Sequence, residues 1–194
     1  VCSSDLMEPR FRALGLDDVE RIEPVYTKDT CAGSRGETGC FRAHKNAWRK
    51  CSEQNTDRCL VLEHDWTYGN QDPSHVRSEL HNLPTNSDYF LVGHCGNYTC
   101  THAYTITKDH AKELSAVDEC SAKMAVDLYM GGRCRTGISR CAQYGDNPQM
   151  EGCVGSGLIQ QDRINIRGMH DHHNNGTCLK HGDCPTVNGD GGSV

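Results

Sequence analysis

The clearest pattern in the chain is a stripe. Within GETGCFRAHKNAWRKCSE, residues 36–53, the positions Cys40, Phe41, His44, Ala47, Trp48 and Cys51 recur at intervals of three and four, with charged residues between them. That period collects them on one side of a helix and turns the charges to the other. Gly36 and Glu37 open the segment, and an acidic side chain in a first turn suits the helix dipole. A different pattern follows. Cys59 to Leu62 is continuously apolar, which predicts a strand covered on both faces. DYFLVGHC (88–95) repeats it, HAYTIT (102–107) predicts a third strand, and KDHAKEL (108–114) a helix directly after it. SAKMAVDLYMGG (121–132) predicts one further helix closed by Gly131 and Gly132, and GSGLIQQ (155–161) a short late strand. This order of elements predicts a mixed α/β layer fold built as one domain. From about Arg167 the chain is rich in His, Asn and Gly, which predicts a loop-like tail with a disordered end.

Composition narrows the function classes. The formal charge is −6 and the basic residues are scattered, which argues against a nucleic-acid polymer as partner. No apolar run approaches the roughly 20 residues needed to cross a bilayer, so no membrane span is expected within this sequence. The opening VCSSDL is what a common sequencing-adapter end would encode, so residues 1–6 are read as an artefact joined to a truncated reading frame. On that reading the true start lies upstream, along with any signal peptide or anchor. Setting Cys2 aside leaves an even twelve of the thirteen cysteines. Together with the acceptor patterns Asn97-Tyr98-Thr99 and Asn175-Gly176-Thr177, they point to the secretory lumen or the exterior; the missing start leaves the cytoplasm open. CGNYTC (95–100) and CLKHGDC (178–184) read as small disulfide loops.

The candidate chemistry sits where the first strand ends. In CLVLEHDW the apolar run delivers Glu63, His64 and Asp65. If strand alternation persists, Glu63 and Asp65 project to one side and His64 to the other, where packing or an outer-sphere role suits it better than ligation. Two such carboxylates can hold a hard divalent cation and leave positions for diphosphate oxygens. An acid-x-acid triplet alone also suits a solvated strand end.

Several segments in order resemble glycosyltransferase family 25, the group of lipooligosaccharide and procollagen galactosyltransferases. GETGCFRAHKNAWRK is similar to its G-E-x-G-C-x-x-S-H-x-x-x-W helix, with Ala43 in place of Ser, and CLVLEHDW to its L-I-L-E-D-D-V strand, with His64 in place of the middle Asp. LGLDDVERIEPVY, YFLVG, THAYTITKDHAKEL, AVDLYM and GLIQQ are similar to further elements, so the likeness runs from about Phe11 to Arg163. A first nucleotide-binding strand is missing ahead of it, as truncation would leave it.

The resemblance implies a GT-A-like mixed sheet with helices on both faces over residues 7–166. It implies an inverting transferase that moves galactose or glucose from a UDP-sugar to a glycan or a hydroxylated protein side chain. Glu63 and Asp65 would hold manganese at the donor diphosphate, with His170 or His172 as a late third ligand. Gly36, Glu37 and His44 match the donor-binding helix, although the stripe suits a packed core histidine at 44 equally well; Trp48 reads as core. Asp127 matches an acid of the family and is the base for the acceptor hydroxyl, a group that binds the acceptor, or a helix-surface aspartate. Two other classes stay open: a non-catalytic, disulfide-stapled glycan-binding or scaffold domain, and a zinc-binding module built on His170, Cys178 and Cys184 of the tail.

Overall fold

The computed structural model describes residues 4–64, 66–94, 98–144, 156–158 and 160–161. Helix α1 (Ser4–Ala13) leads through an extended segment to α2 (Arg35–Glu53) and then strand β1 (Arg58–Leu62). The short β2 (Trp66–Thr67) and α3 (Pro73–His81) precede β3 (Tyr89–His94) and β4 (Ala103–Thr107). Helices α4 (Lys108–Ser115), α5 (Glu119–Ala122) and α6 (Val126–Arg135) follow, then β5 (Cys141–Gln143), β6 (Ser156–Gly157) and β7 (Gln160–Gln161). The sheet runs β1-β4-β3-β5, with β6 beside the far end of β3 and a separate β2-β7 ladder. β4 is antiparallel to both neighbours, whereas β3 and β5 are parallel. This is the mixed α/β architecture that the pattern predicts.

Side-chain alternation divides the core into two layers. Tyr89 and Leu91 of β3, with Tyr104 and Ile106 of β4, pack against Phe41, Trp48, Leu114 and Met130 from α2, α4 and α6. Phe90 and Val92 face the opposite way and join Leu14, Trp66, Val76 and Leu158. β1 serves both layers, since Cys59 and Val61 lie against the first and Leu60 and Leu62 against the second. It is nevertheless an edge strand among the described residues, so its five side chains are half-buried instead of enclosed.

The stripe helix forms as its pattern dictates. Ser34 takes an extended conformation and its hydroxyl accepts from the Glu37 amide at 3.2 Å, which caps one of the donors a helix start leaves unpaired. Phe41, His44, Trp48 and Cys51 are buried, and Cys40 and Ala47 flank them half-buried. The expected single helix over 121–132 is instead two. Lys123 enters the left-handed region at φ 54° and ends α5. α6 then continues through both glycines to Arg135. The expected late strand is also divided, with β6 pairing to β3 and β7 to β2.

Disulfides join Cys31 to Cys120, Cys51 to Cys59 and Cys134 to Cys141, and Cys100 is also disulfide-bonded. Cys95, the loop 178–184, Asn97 and Asn175 lie outside the described residues.

An ion cluster adds a second tie between α5 and α2. Glu119 has a side chain only 9% exposed and accepts from Arg42 Nε at 2.6 Å and Lys45 Nζ at 2.7 Å. Burial opposes its ionisation, but the two cations outweigh it and hold the carboxyl at about 2. The folded value lies below the unfolded one, so this stabilisation is present above about pH 4.3 and is lost as pH falls toward 2. Glu119→Gln is expected to lower stability at pH 7 by about 1–3 kcal/mol and to flatten the decline across that acid range. Denaturant titrations at stepped pH check both effects.

Candidate functional site

β1 brings Glu63 to the layer of α2. Its backbone pairing extends one residue past the strand, with the Glu63 amide donating to His102 O at 2.9 Å, and alternation sets Glu63 on the same side as Cys59 and Val61. β1 ends at Leu62, and just beyond it Trp66 N donates to Glu63 O at 3.3 Å. His64 stands exposed there and is not packed as expected. Asp65, His170 and His172 lie outside the described residues.

Four side chains converge on Glu63 and on one another. His44 Nε2 lies 3.3 Å from Glu63 Oε1, and the Thr101 hydroxyl donates to that same oxygen at 2.5 Å. On the far side of the imidazole, His44 Nδ1 is 2.7 Å from the Tyr104 hydroxyl oxygen, which also accepts from Trp48 Nε1 at 2.8 Å. Burial works against charge on both His44 and Glu63, yet their mutual attraction prevails. With the Thr101 hydroxyl it holds the Glu63 carboxyl at about 2. Tyr104, Cys40 and Glu63 raise His44 well above the ordinary histidine value. That shift favours the imidazolium, the form in which both nitrogens donate, one toward the carboxylate and one toward the phenol oxygen. His44 is thus the packed core histidine that the stripe suits, and from the core it also holds the acid.

Asp127 occupies the first turn of α6 and is buried. Burial drives its carboxyl upward and the Glu63 charge adds to that, against backbone donors from Leu128, Asp127 and Cys100. It is therefore no helix-surface aspartate. Environments that push one acid down and a nearby acid up are what separate an electrostatic anchor from a proton acceptor. Tyr89 lies in the same field: burial raises its hydroxyl chiefly, and the Tyr104, Glu63 and Asp127 charges raise it further. Its hydroxyl is among the described buried polar atoms without a protein partner.

Gly36 and Glu37 stand apart. They lie at the start of α2, roughly 10 Å along the helix axis from His44 at 1.5 Å per residue. The Glu37 carboxylate lies over Gly33, where a Cβ would come 2.5 Å from Oε2. Thr101, Tyr104 and Tyr89 were not singled out by the sequence pattern. Only Tyr104 left a trace there, as the aromatic residue facing α2 in an otherwise polar HAYTIT run.

One glycine sets the distance between the two acids' supports. A Cβ on Gly131 would lie 2.6 Å from the Tyr98 carbonyl oxygen, so α6 can approach the 98–102 segment only with glycine there. Gly131→Ala is expected to destabilise by about 1–3 kcal/mol as the backbone shifts. Gly132→Ala, which meets nothing within 4 Å, should be neutral or slightly stabilising. Thermal melts of the pair separate a packing requirement from a loss of helix flexibility.

Residues 25–95 match the model of glycosyltransferase family 25 (LPS biosynthesis protein). No curated protein matches the chain. The family 25 match spans α2 and β1, and so includes His44 and Glu63, the two charged members of the convergent cluster. It supports a glycosyltransferase in general, with a sugar donor and a glycan acceptor as its partners. Among the described residues no helix is long and apolar enough to cross a membrane.

Proposed function

We propose that the chain is a metal-dependent glycosyltransferase that moves a hexose, galactose or glucose, from a UDP-sugar to a glycan or hydroxylated protein acceptor with inversion. The observation that carries this reading is the pairing of a carboxylate held at about 2 with a second, buried acid pushed upward, within one electrostatic field and beside the family 25 segment. Glu63 fits a manganese ion: it is an ionised oxygen ligand, and its two described contacts both fall on Oε1, which leaves Oε2 for a hard cation. With Asp65, and with His170 or His172 from the tail, it would hold that ion at the donor diphosphate. Bound there, manganese supplies charge neutralisation for the departing diphosphate.

The chain's own residues do the rest. His44 fixes the Glu63 rotamer through its own anchorage to Tyr104 and Trp48, so the carboxylate is presented in one orientation. Asp127, with its raised proton affinity, accepts the proton from the acceptor hydroxyl as that oxygen attacks the anomeric carbon. Gly36 and Glu37 at the start of α2 complete the proposed donor contacts. The disulfides support an oxidising compartment, the secretory lumen or the exterior.

Calorimetric titration of UDP into the protein, with and without manganese, tests the proposal. Binding that requires manganese is expected. No binding in either condition would instead favour a disulfide-stapled scaffold or glycan-binding domain.

A further inference from the structure

Cys40 and His44 are four residues apart on α2, so their side chains lie one above the other on a single helix face. Glu63 reaches the same point from the end of β1. The Cys40 thiol, an imidazole nitrogen of His44 and a Glu63 carboxylate oxygen all lie within 4.8 Å of one another. Cys40 is a thiol in a protein whose neighbouring cysteines 31, 51, 59 and 120 are in disulfides. The other described cluster of this kind, Cys31, Glu119 and Cys120, has both sulfurs joined to each other and offers no thiolate.

We propose that Cys40, His44 and Glu63 form a zinc site, with thiolate, imidazole and carboxylate ligands and a fourth position open. Tetrahedral zinc with bonds of about 2.0–2.3 Å sets its donor atoms roughly 3.3–3.8 Å apart. His44 Nε2 and Glu63 Oε1 are already 3.3 Å apart, and the three ligand atoms lie within 4.8 Å of one another, so a small contraction brings the set to ligand spacing. The outer contacts that orient zinc ligands are in place. The Tyr104 oxygen accepts a hydrogen bond from His44 Nδ1–H while Nε2 turns to the metal, and the Thr101 hydroxyl supports the carboxylate. Binding displaces the thiol proton and the Nε2 proton to solvent and leaves all covalent bonds of the chain unchanged. A thiolate with an imidazole selects zinc over the harder manganese; the two sites share Glu63, zinc on Oε1 and manganese on Oε2, and differ in every other ligand.

The test uses the full chain, stripped with chelator and titrated with cobalt(II) as a spectroscopic stand-in and then with zinc. One equivalent of cobalt is expected to give thiolate-to-metal charge-transfer absorption, which one equivalent of zinc abolishes. Cys40→Ser should lose that absorption and bind zinc about 100-fold more weakly, while Tyr104→Phe weakens zinc by roughly 10-fold through the loss of orientation. Where Cys40→Ser fails to fold, the native protein gives the same answer through alkylation: zinc should protect Cys40 from iodoacetamide, read by peptide mass spectrometry. A thiolate band that persists in Cys40→Ser, unprotected alkylation of Cys40, or Cys40 found in a disulfide overturns the proposal. The transferase reading fails separately, through the absence of manganese-dependent UDP binding in a protein that still shows the cobalt–thiolate band.

Discussion

Glu63→Gln is expected to reduce manganese-dependent sugar transfer by about 100-fold or more, the scale found when one fixed electrostatic group is removed from a reaction centre. Glutamine keeps the shape of the side chain, and its carbonyl oxygen can still accept from Thr101 and His44, so both contacts should survive. What disappears is the charge. Two consequences follow besides the rate. His44 loses the carboxylate that favours its imidazolium, burial then dominates, and its pKa should fall, which imidazole proton NMR across pH would read. Asp127 loses the neighbouring negative charge that helps raise it, so its own value should fall as well. Undiminished transfer by a folded Glu63→Gln protein would remove Glu63 from the mechanism, whatever happened to the two titrations.

Replacing Cys31 and Cys120 together by alanine is expected to cost about 4–5 kcal/mol, the chain-entropy value for a loop of this size. The bond spans 89 residues, far more than the eight and seven of the other two described bridges. It fastens the segment before α2 to α5, so its loss frees a large part of the chain in the unfolded state. For a protein of this length that corresponds to a fall in Tm of roughly 10 °C or more. The Glu119 ion cluster next to Cys120 also ties α5 to α2, and it should keep the native arrangement intact below the transition. A reversible melt within a few degrees of the parent would show that the unfolded chain is already confined without the bond.

The helix over 35–53 was legible because its apolar residues repeat on one face and the acidic Glu37 stands in its first turn. The strands at 58–62 and 89–94 were legible as apolar runs of strand length, and that at 103–107 as a run of strand-favouring Tyr, Thr and Ile. Helix α3 was not. It buries only Val76 completely, so no stripe forms, and its one local signal is Asp72 capping a first-turn Pro73. The break at Lys123 was hidden because nothing in SAKMAV forbids a helix; tertiary packing of α5 and α6 decides it. At the site, Glu63, His44 and Asp127 were each legible as candidates, yet their relation was not. Thr101 and Tyr104 lie about 40 residues beyond Glu63 in sequence, and hydroxyl groups at that separation leave no periodic trace. Gly36 and Glu37 follow the opposite course: they belong to a recognisable helix start, and the fold gives them local work there.

The segment 98–102 bears on both acids from adjacent residues, since the Thr101 hydroxyl donates to Glu63 and the Cys100 backbone is among the groups that favour the charged form of Asp127. The two acids therefore share one mechanical degree of freedom. Any displacement of that segment moves both at once, so their spacing is conserved under motions that would scatter two independently mounted groups. The same arrangement makes the pair fragile in one direction: cutting the chain between Cys100 and Thr101 would uncouple the supports of the two acids without touching either.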